Sequence, residues 1–181
     1  MSRTRKPKWS AVKKSLQKQS KAELVKLIGD LYKLAPENRD FLHARTIPGE
    51  KSIETYKKIV FACMWPELGQ QWFEYRKAKK AISDYKKASG DEIGEIELIL
   101  HYVETANDFT CSYGDMDEQF YDSVFSMCNR VAKKIRAFPE EKRQEYRKRL
   151  CDLADSSKGI GWGYHDELVD ILYETFPDEK R

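Results

Sequence analysis

The sequence predicts an all-α protein, an antiparallel array of helices with short connections and a basic, flexible N-terminal arm. Apolar residues recur at intervals of three and four along most of the 181 residues, which is the spacing of one helix face. No segment shows the alternating pattern of a convincing strand. Gly and Pro residues separate the periodic segments, and the short connections favour antiparallel neighbours.

The first 45 residues are predicted to form an arm and three helices. Residues 1–8 form a disordered arm rich in Lys and Arg, and a helix follows over 9–18. Ser20 caps the second helix, and Glu23 three residues later completes a capping box. A proline in the first turn begins the third helix, over 36–45.

A single helical domain is expected over residues 9–181, with candidate sub-domain boundaries near 46–52 and 66–70, where Pro and Gly interrupt the pattern. Between these breaks lies a fourth helix. The helices over 71–88 and 92–109 are joined by a three-residue turn, so an antiparallel hairpin is expected.

Three further segments complete the chain. Residues 110–115 are expected to form a loop, followed by a helix with the clearest apolar period. Pro139 begins another helix, whose basic residues lie toward its C-terminal half and complement the helix dipole. The glycine-rich segment 159–166 then precedes a last helix that reaches Phe176.

Charge is distributed unevenly along the chain. Residues 1–90 hold 21 Lys and Arg against 9 Asp and Glu, whereas residues 91–181 hold 12 against 21. This asymmetry indicates either a nucleic-acid-binding half or two halves that neutralise each other. Pairing across the predicted hairpin favours the second interpretation. Its basic outer stripe would face an acidic, solvated stripe formed by Glu97, His101, Glu104 and Asp108.

Several classes of protein are disfavoured. No apolar run approaches the roughly 20 residues of a membrane span, and no secretory signal follows the basic N-terminus. The four Cys residues are too far apart for metal-ligand pairs and are predicted to be reduced core residues. We expect a cytoplasmic protein without a cofactor and without a membrane partner.

Two acidic patterns resemble metal sites but fail on spacing. Glu97 and His101 are four residues apart, whereas helical carboxylate sites use Glu and His three apart. The acidic run that starts at Asp115 resembles a calcium loop, but Phe120 stands where Gly is needed and Ser126 where Glu is needed. We expect an aspartate of this run to cap the following helix.

The glycine-rich segment has the most unusual shape, because alternate Gly residues permit backbone angles closed to other residues. One interpretation is a helix corner, with Trp162 and Tyr164 in the core and His165 or Asp166 capping the last helix. The other is a binding pocket or enzyme site, which requires the loop with Tyr113 and Asp115 to meet this one. The candidate binding residues are therefore Trp162, Tyr164, His165, Asp166, Tyr113 and Asp115.

Several blocks of the sequence resemble a family of uncharacterised bacterial all-helical proteins, the DUF6155-like group. They are Leu16-x-x-x-Ser20-Lys21-x-Glu23-Leu24-x-x-Leu27-Ile28-x-x-Leu31-Tyr32, then Asn38, Phe41-Leu42, Ala81-Ile82-x-x-Tyr85, Tyr113-Gly114-Asp115 and Gly161-x-Gly163-x-x-Asp166. The resemblance implies a bacterial helical protein and supplies no catalytic residues.

The leading functional hypothesis is a non-enzymatic module for protein–protein contacts, since no catalytic spacing occurs and aromatic loop residues are typical interface anchors. Nucleic-acid binding by the basic N-terminal half is the alternative, because basic arms release counterions from phosphates and Trp9 could stack on a base. Its candidate residues are Arg3, Arg5, Lys6, Lys8, Lys13 and Lys14. A third hypothesis is an enzyme or ligand site at 159–166.

Overall fold

A computed structural model describes residues 8–47, 49–67 and 72–177, which form nine α-helices and no β-strand. The all-α prediction is confirmed. The predicted arm lies outside the described residues except for Lys8. The helices are α1 (Trp9–Leu16), α2 (Lys21–Leu34), α3 (Pro36–Thr46), α4 (Glu50–Met64), α5 (Tyr75–Ser89), α6 (Glu92–Tyr113), α7 (Glu118–Arg136), α8 (Glu140–Ser156) and α9 (Tyr164–Thr175).

Local capping signals begin several helices where the sequence predicts. The Ser20 hydroxyl accepts a hydrogen bond from the backbone N–H of Glu23 at 3.3 Å, and the Glu23 carboxylate accepts one from the Ser20 N–H at 2.7 Å. Asp117 caps α7 by accepting from the N–H of Phe120 at 2.9 Å. Each such cap is worth about 1 kcal/mol, so these boundaries are set by local sequence.

Two boundaries differ from the prediction because tertiary contacts decide them. The predicted loop over 110–115 is wrong for residues 110–113, since α6 continues to Tyr113, whose ring lies 6.0 Å from that of Trp65 at the end of α4. The predicted start of α5 at residue 71 is also wrong, because α5 begins at Tyr75. Phe73 is drawn into the core there, and the backbone N–H of Glu74 bonds to the carbonyl of Cys63 at 3.1 Å.

Helix α6 lies at the centre of the array. It packs against α4, α5, α7 and α8, and α9 packs against α7 and α8. Residues on nearly every side of α6 are buried, including Leu98, Leu100 and Val103, as expected of a helix with neighbours all round. A buried hydrogen bond of 2.6 Å between the hydroxyls of Tyr102 and Ser123 fixes α6 to α7.

Helices α1 to α3 lie at the periphery. Helix α3 packs against α5 and α4, and α2 packs against α3. Neither α1 nor α2 contains a buried residue. Of the described helices, none has both the length and the apolar character needed to cross a bilayer.

Candidate binding surface at the loop end

Three connections, α4–α5, α6–α7 and α8–α9, meet at one end of the array, which we call the loop end. Packed aromatic rings join the α4–α5 connection to the helices that flank the α6–α7 connection. The centroid of Phe73 lies 5.0 Å from that of Phe109 on α6 and 4.9 Å from that of Phe120 on α7. Trp65 packs edge-on against Phe109 at 5.4 Å. Such aromatic pairs add about 0.5–1.5 kcal/mol each beyond the free energy of their buried area, so these contacts stabilise the loop end.

The two glycine-bearing loops converge at this end. The backbone N–H of Gly161 donates to Oδ1 of Asp115 at 2.8 Å. A Cβ on residue 161 would lie only 2.7 Å from Oδ2 of the same carboxylate. Glycine therefore permits this close approach, and a larger residue would require the Asp115 carboxylate to move; we call this contact the Asp115–Gly161 latch.

Tyr164, rather than Trp162, fills the core at the α8–α9 corner. The predicted core position of Trp162 is wrong, because its side chain is 63% exposed and its backbone is left-handed, with φ of 61°. Tyr164 is fully buried, with its ring centroid 5.0 Å from Tyr121 and 5.6 Å from Phe125. Burial raises the pKa of Tyr164 far above its ordinary value, so this phenol stays neutral.

His165 joins the end of α8 to the start of α9. Its Nδ1 lies 2.8 Å from the carbonyl oxygen of Ala154 and 3.0 Å from Oγ of Ser157. A carbonyl oxygen can only accept, so Nδ1 of His165 donates to it. The Ser157 hydroxyl donates to the same carbonyl at 2.8 Å. The imidazole thus positions the helix corner.

The start of α9 is not capped by a side chain, so the predicted cap by His165 or Asp166 is wrong. Gly163 occupies the N-cap position with φ of 67°, and no side chain accepts from the first turn. Asp166 lies exposed within that turn. A carboxylate there still interacts favourably with the helix dipole.

An open pocket of about 450 Å³ lies beside the latch, between the α4–α5 and α6–α7 connections. Its lining consists of Trp72, Phe73, Tyr75, Asp115, Met116, Asp117 and Gln119. The Trp72 side chain is 90% exposed, the highest value among the exposed large apolar side chains. Sequence reasoning placed this segment at a helix start and missed the pocket. The sequence feature that could have indicated the pocket is the aromatic-rich stretch 72–75, which follows a break rich in Pro and Gly.

The pocket is anionic. Asp115 accepts from Gly161, and Asp117 accepts from Phe120, which leaves further lone pairs on both carboxylates. Within the described parts of the chain, no Lys or Arg forms an ion pair with either of them. Burial and the nearby charge of Asp117 raise the pKa of Tyr75, so its hydroxyl remains neutral. Aromatic faces and free carboxylates together suit a bound cation.

A larger cavity of about 540 Å³ lies between α3, α4 and α5, and its wall carries both signs of charge. Lys80 pairs with Asp84 on its wall, and Lys77 pairs with Glu74 at 2.7 Å. Because of these two lysines, the cavity attracts a cation less than the loop-end pocket, whose lining has no Lys or Arg.

The acidic stripe on α6 is largely covered, so the predicted solvated face is wrong. Arg149 on α8 donates from Nε and Nη2 to the two carboxylate oxygens of Glu104, at 2.6 and 2.8 Å, and from Nη1 to Glu97 at 2.7 Å. His101 is half-buried, and burial lowers its pKa. Asp108 alone of the four is exposed. Sequence reasoning paired this stripe with α5, because it could not place α8 beside α6.

Glu95 is a buried carboxylate held by three cations. It contacts Nη2 of Arg130 at 2.5 Å and Nζ of Lys134 at 3.0 Å, both on α7, and Nζ of Lys86 on α5 at 3.9 Å. Burial by itself would raise the pKa of Glu95, but hydrogen bonds from Lys134 and Arg130 outweigh it and lower the pKa. This cluster ties α6 to its neighbours on both sides.

Burial raises the pKa values of three thiols, those of Cys63, Cys111 and Cys128. Cys63 and Cys128 are buried as predicted, but Cys111 is exposed and Cys151 half-buried, so the core assignment is wrong for those two. The Cys111 thiol donates to the carbonyl of Ser156 at 3.3 Å, and partial burial raises its pKa. A raised pKa disfavours the thiolate that nucleophilic chemistry needs. Among the described residues no group of His, Cys, Asp and Glu could hold a metal ion.

The nucleic-acid candidates are only partly described. Arg3, Arg5 and Lys6 lie outside the described residues. Lys8, Lys13 and Lys14 are exposed on and just before α1, as is Trp9. Of the other predicted binding residues, Tyr113 is exposed at the loop end but is not among the residues that line the pocket.

A scan against protein-family models found no match, and comparisons with curated proteins and with solved structures found no similar chain. The resemblance to the DUF6155-like family therefore stays a prediction.

Proposed function

We propose that this chain is a non-enzymatic protein–protein interaction module that binds a Lys or Arg side chain of a partner protein in the loop-end pocket. The observation that carries the proposal is the pocket itself. Trp72 stands almost fully exposed on its wall, and two carboxylates face it without an ion-pair partner among the described residues. A large aromatic side chain is exposed in this way at many interface hot spots.

The chemistry of the pocket favours a cation over a neutral side chain. A guanidinium or ammonium group over an indole face gains about 0.5–2 kcal/mol, depending on how far it is desolvated. A charge-assisted hydrogen bond to Asp115 or Asp117 adds about 1.5–3 kcal/mol. A neutral side chain of the same shape loses both contributions, so selectivity for charge is the distinguishing property.

The test compares two short peptides that differ at one central residue, arginine in one and the neutral isostere citrulline in the other. We expect calorimetric titration to show binding of the arginine peptide that weakens at high salt, and at least about tenfold weaker binding of the citrulline peptide. Equal binding of the two peptides contradicts the proposal.

Matched variants locate the binding site. Trp72→Ala is expected to abolish binding, whereas Trp162→Ala, an exposed tryptophan outside the pocket lining, leaves it unchanged. Asp115→Asn removes a pocket charge but keeps the acceptor for Gly161, and Asp166→Asn is its control. Loss of binding in Trp162→Ala rather than Trp72→Ala would move the contact to the α8–α9 corner.

Nucleic-acid binding is a second candidate function, favoured by α1. Lys13 and Lys14 are exposed beside Trp9, and this helix has no acidic residue. Lysines bind phosphates through counterion release, and an exposed indole can stack on a base. A salt-titrated binding assay on DNA and RNA tests it. Binding that survives Lys13→Ala/Lys14→Ala and Trp9→Ala unchanged argues against α1 as the contact.

A further inference from the structure

Helices α1 and α2 expose many large apolar side chains, most of them on α2. Eight large apolar side chains of these two helices remain between 36% and 76% exposed. They are Trp9, Val12, Val25, Leu27, Ile28, Leu31, Tyr32 and Leu34. Scattered exposed apolar residues are ordinary, but the six on α2 lie close together on one helix, and a contiguous patch of this kind marks an interaction surface.

The spacing of the leucines shows why α3 alone does not cover this surface. Leu24, Leu27, Leu31 and Leu34 follow one another at intervals of three, four and three, which is the a and d pattern of a helix seam. Val25, Ile28 and Tyr32 widen the apolar arc to about half of the helix circumference. A single neighbouring helix contacts only part of such an arc.

Helix α3 is held at one side of this arc. The side-chain amide of Asn38 donates to the carbonyl of Leu31 at 2.8 Å, and the Tyr32 hydroxyl lies 3.0 Å from Nε2 of His43. These bonds fix α3 near the C-terminal half of α2. The remaining apolar side chains, most of all Leu34 at 76% exposure, stay open to a second partner.

The size and charge of the face suit a second copy of this chain. At roughly half exposure each, the six exposed apolar side chains of α2 offer about 500 Å² per copy, so two copies would bury about 1,000 Å² in total, the lower limit of a specific interface. A two-fold interface must be self-complementary. Helix α2 meets this condition, because its three Lys residues are nearly balanced by Glu23 and Asp30.

An anionic lipid or nucleic-acid surface fits α2 less well. Helices that lie on anionic membranes carry a predominantly basic polar face, whereas the polar side of α2 has mixed sign. It consists of Glu23, Lys26, Asp30 and Lys33. The phosphate groups of a nucleic acid are charged, so they would not pack against the leucines of α2.

We propose that two copies of this chain associate through their α2 helices, packed antiparallel about a two-fold axis, so that α2 and α3 of each copy form a four-helix bundle. This arrangement also separates the basic α1 helices. They lie at opposite ends of the 14-residue α2 pair, about 21 Å apart along the helix axis, well beyond the ~8 Å screening length at physiological salt. The proposal does not rest on the loop-end pocket.

Sedimentation velocity of the full chain over a range of concentrations tests this association. We expect a concentration-dependent shift from one chain mass to twice that mass. Leu27→Glu/Leu34→Glu would place four carboxylates in the apolar seam, those at position 27 close to the two-fold axis, and the dimer dissociation constant should rise at least about 100-fold. Ile93→Glu, an exposed residue on α6, is the control and should dimerise like the wild type.

Circular dichroism ensures that the variants are folded, which is expected because α2 has no buried residue. Three results overturn the proposal: a monomer at every concentration, a dimer that the leucine substitutions leave intact, or assembly beyond the dimer. A monomer that co-sediments with vesicles of phosphatidylserine and phosphatidylcholine, and loses this binding in Leu27→Glu/Leu34→Glu, would assign the face to lipid instead.

Discussion

Replacing Gly161 with alanine tests the Asp115–Gly161 latch directly. The new Cβ would lie 2.7 Å from Oδ2 of Asp115, so the carboxylate must move and the 2.8 Å hydrogen bond from the Gly161 N–H weakens. A hydrogen bond to a charged group contributes about 1.5–3 kcal/mol when buried. Asp115 is exposed, so we expect the free energy of unfolding to fall by about 1–2 kcal/mol. That loss corresponds to roughly 2–8 °C in melting temperature for a chain of this size.

A double-mutant cycle in urea isolates the contact. In the Asp115→Ala background the obstructing carboxylate is absent, so Gly161→Ala should cost little, and the coupling energy should be at least about 1 kcal/mol. Gly163→Ala is the matched control. It has φ of 67° and no neighbouring atom within 4 Å, so its cost of about 1–2 kcal/mol comes from the left-handed backbone and should be equal in both backgrounds.

Equal destabilisation by Gly161→Ala in the wild-type and Asp115→Ala backgrounds would contradict the expected coupling between the two residues. The cost would then arise from the backbone of residue 161, and the two loops would not be coupled through this carboxylate. Equal costs of Gly161→Ala and Gly163→Ala in the wild type alone would not distinguish the two causes, so the cycle is required.

Four further substitutions test the packing of the aromatic residues and the ion pairs. Tyr164→Ala should reduce the free energy of unfolding by about 3–5 kcal/mol, whereas Trp162→Ala should change it by no more than about 0.5 kcal/mol. Similar losses for both variants in thermal melts would contradict the burial of Tyr164 and the exposure of Trp162. Glu95→Gln should cost about 1–3 kcal/mol at neutral pH. The folded-state pKa of Glu95 lies below the ordinary 4.5. Its ion pairs therefore stabilise the fold fully above pH 4.5, and this stabilisation is lost as the pH falls through the folded-state pKa, so the unfolding free energies of wild type and variant should converge in acid. Arg149→Lys keeps the charge but loses the paired contact with Glu104, and urea unfolding should show a loss of about 1–2 kcal/mol; an unchanged midpoint would count against the bidentate contact.

Local signals were sufficient for most of the fold. The capping box of Ser20 and Glu23 and the cap by Asp117 act within four residues, so the sequence predicts them directly. The same holds for the apolar period of α7. Boundaries failed where distant residues intervene: Phe73 packs on α6 and α7 and delays α5 to Tyr75, which no local pattern indicates.

The candidate site was predicted only in part. The convergence of the two loops was posed from sequence as the deciding question, and the contact between Asp115 and Gly161 answers it. Of the two aromatic residues predicted to lie in the core, however, only Tyr164 does so. Trp162 and Tyr164 are both large aromatics two residues apart, and only the path of the α8–α9 corner decides which one enters the core.

By itself, the sequence determined the all-α class, most helix starts and the position of the glycine-rich corner, because helix period and capping depend on residues within one or two turns. Only the tertiary structure decided which charges pair, which aromatics are exposed and where the pocket lies. Arg149 reaches Glu97 and Glu104 across some fifty residues of chain, and Trp72 stands beside Asp115 because α5, α6 and α7 pack side by side. Such contacts depend on how helices are arranged in space, which the spacing of residues along one helix does not encode.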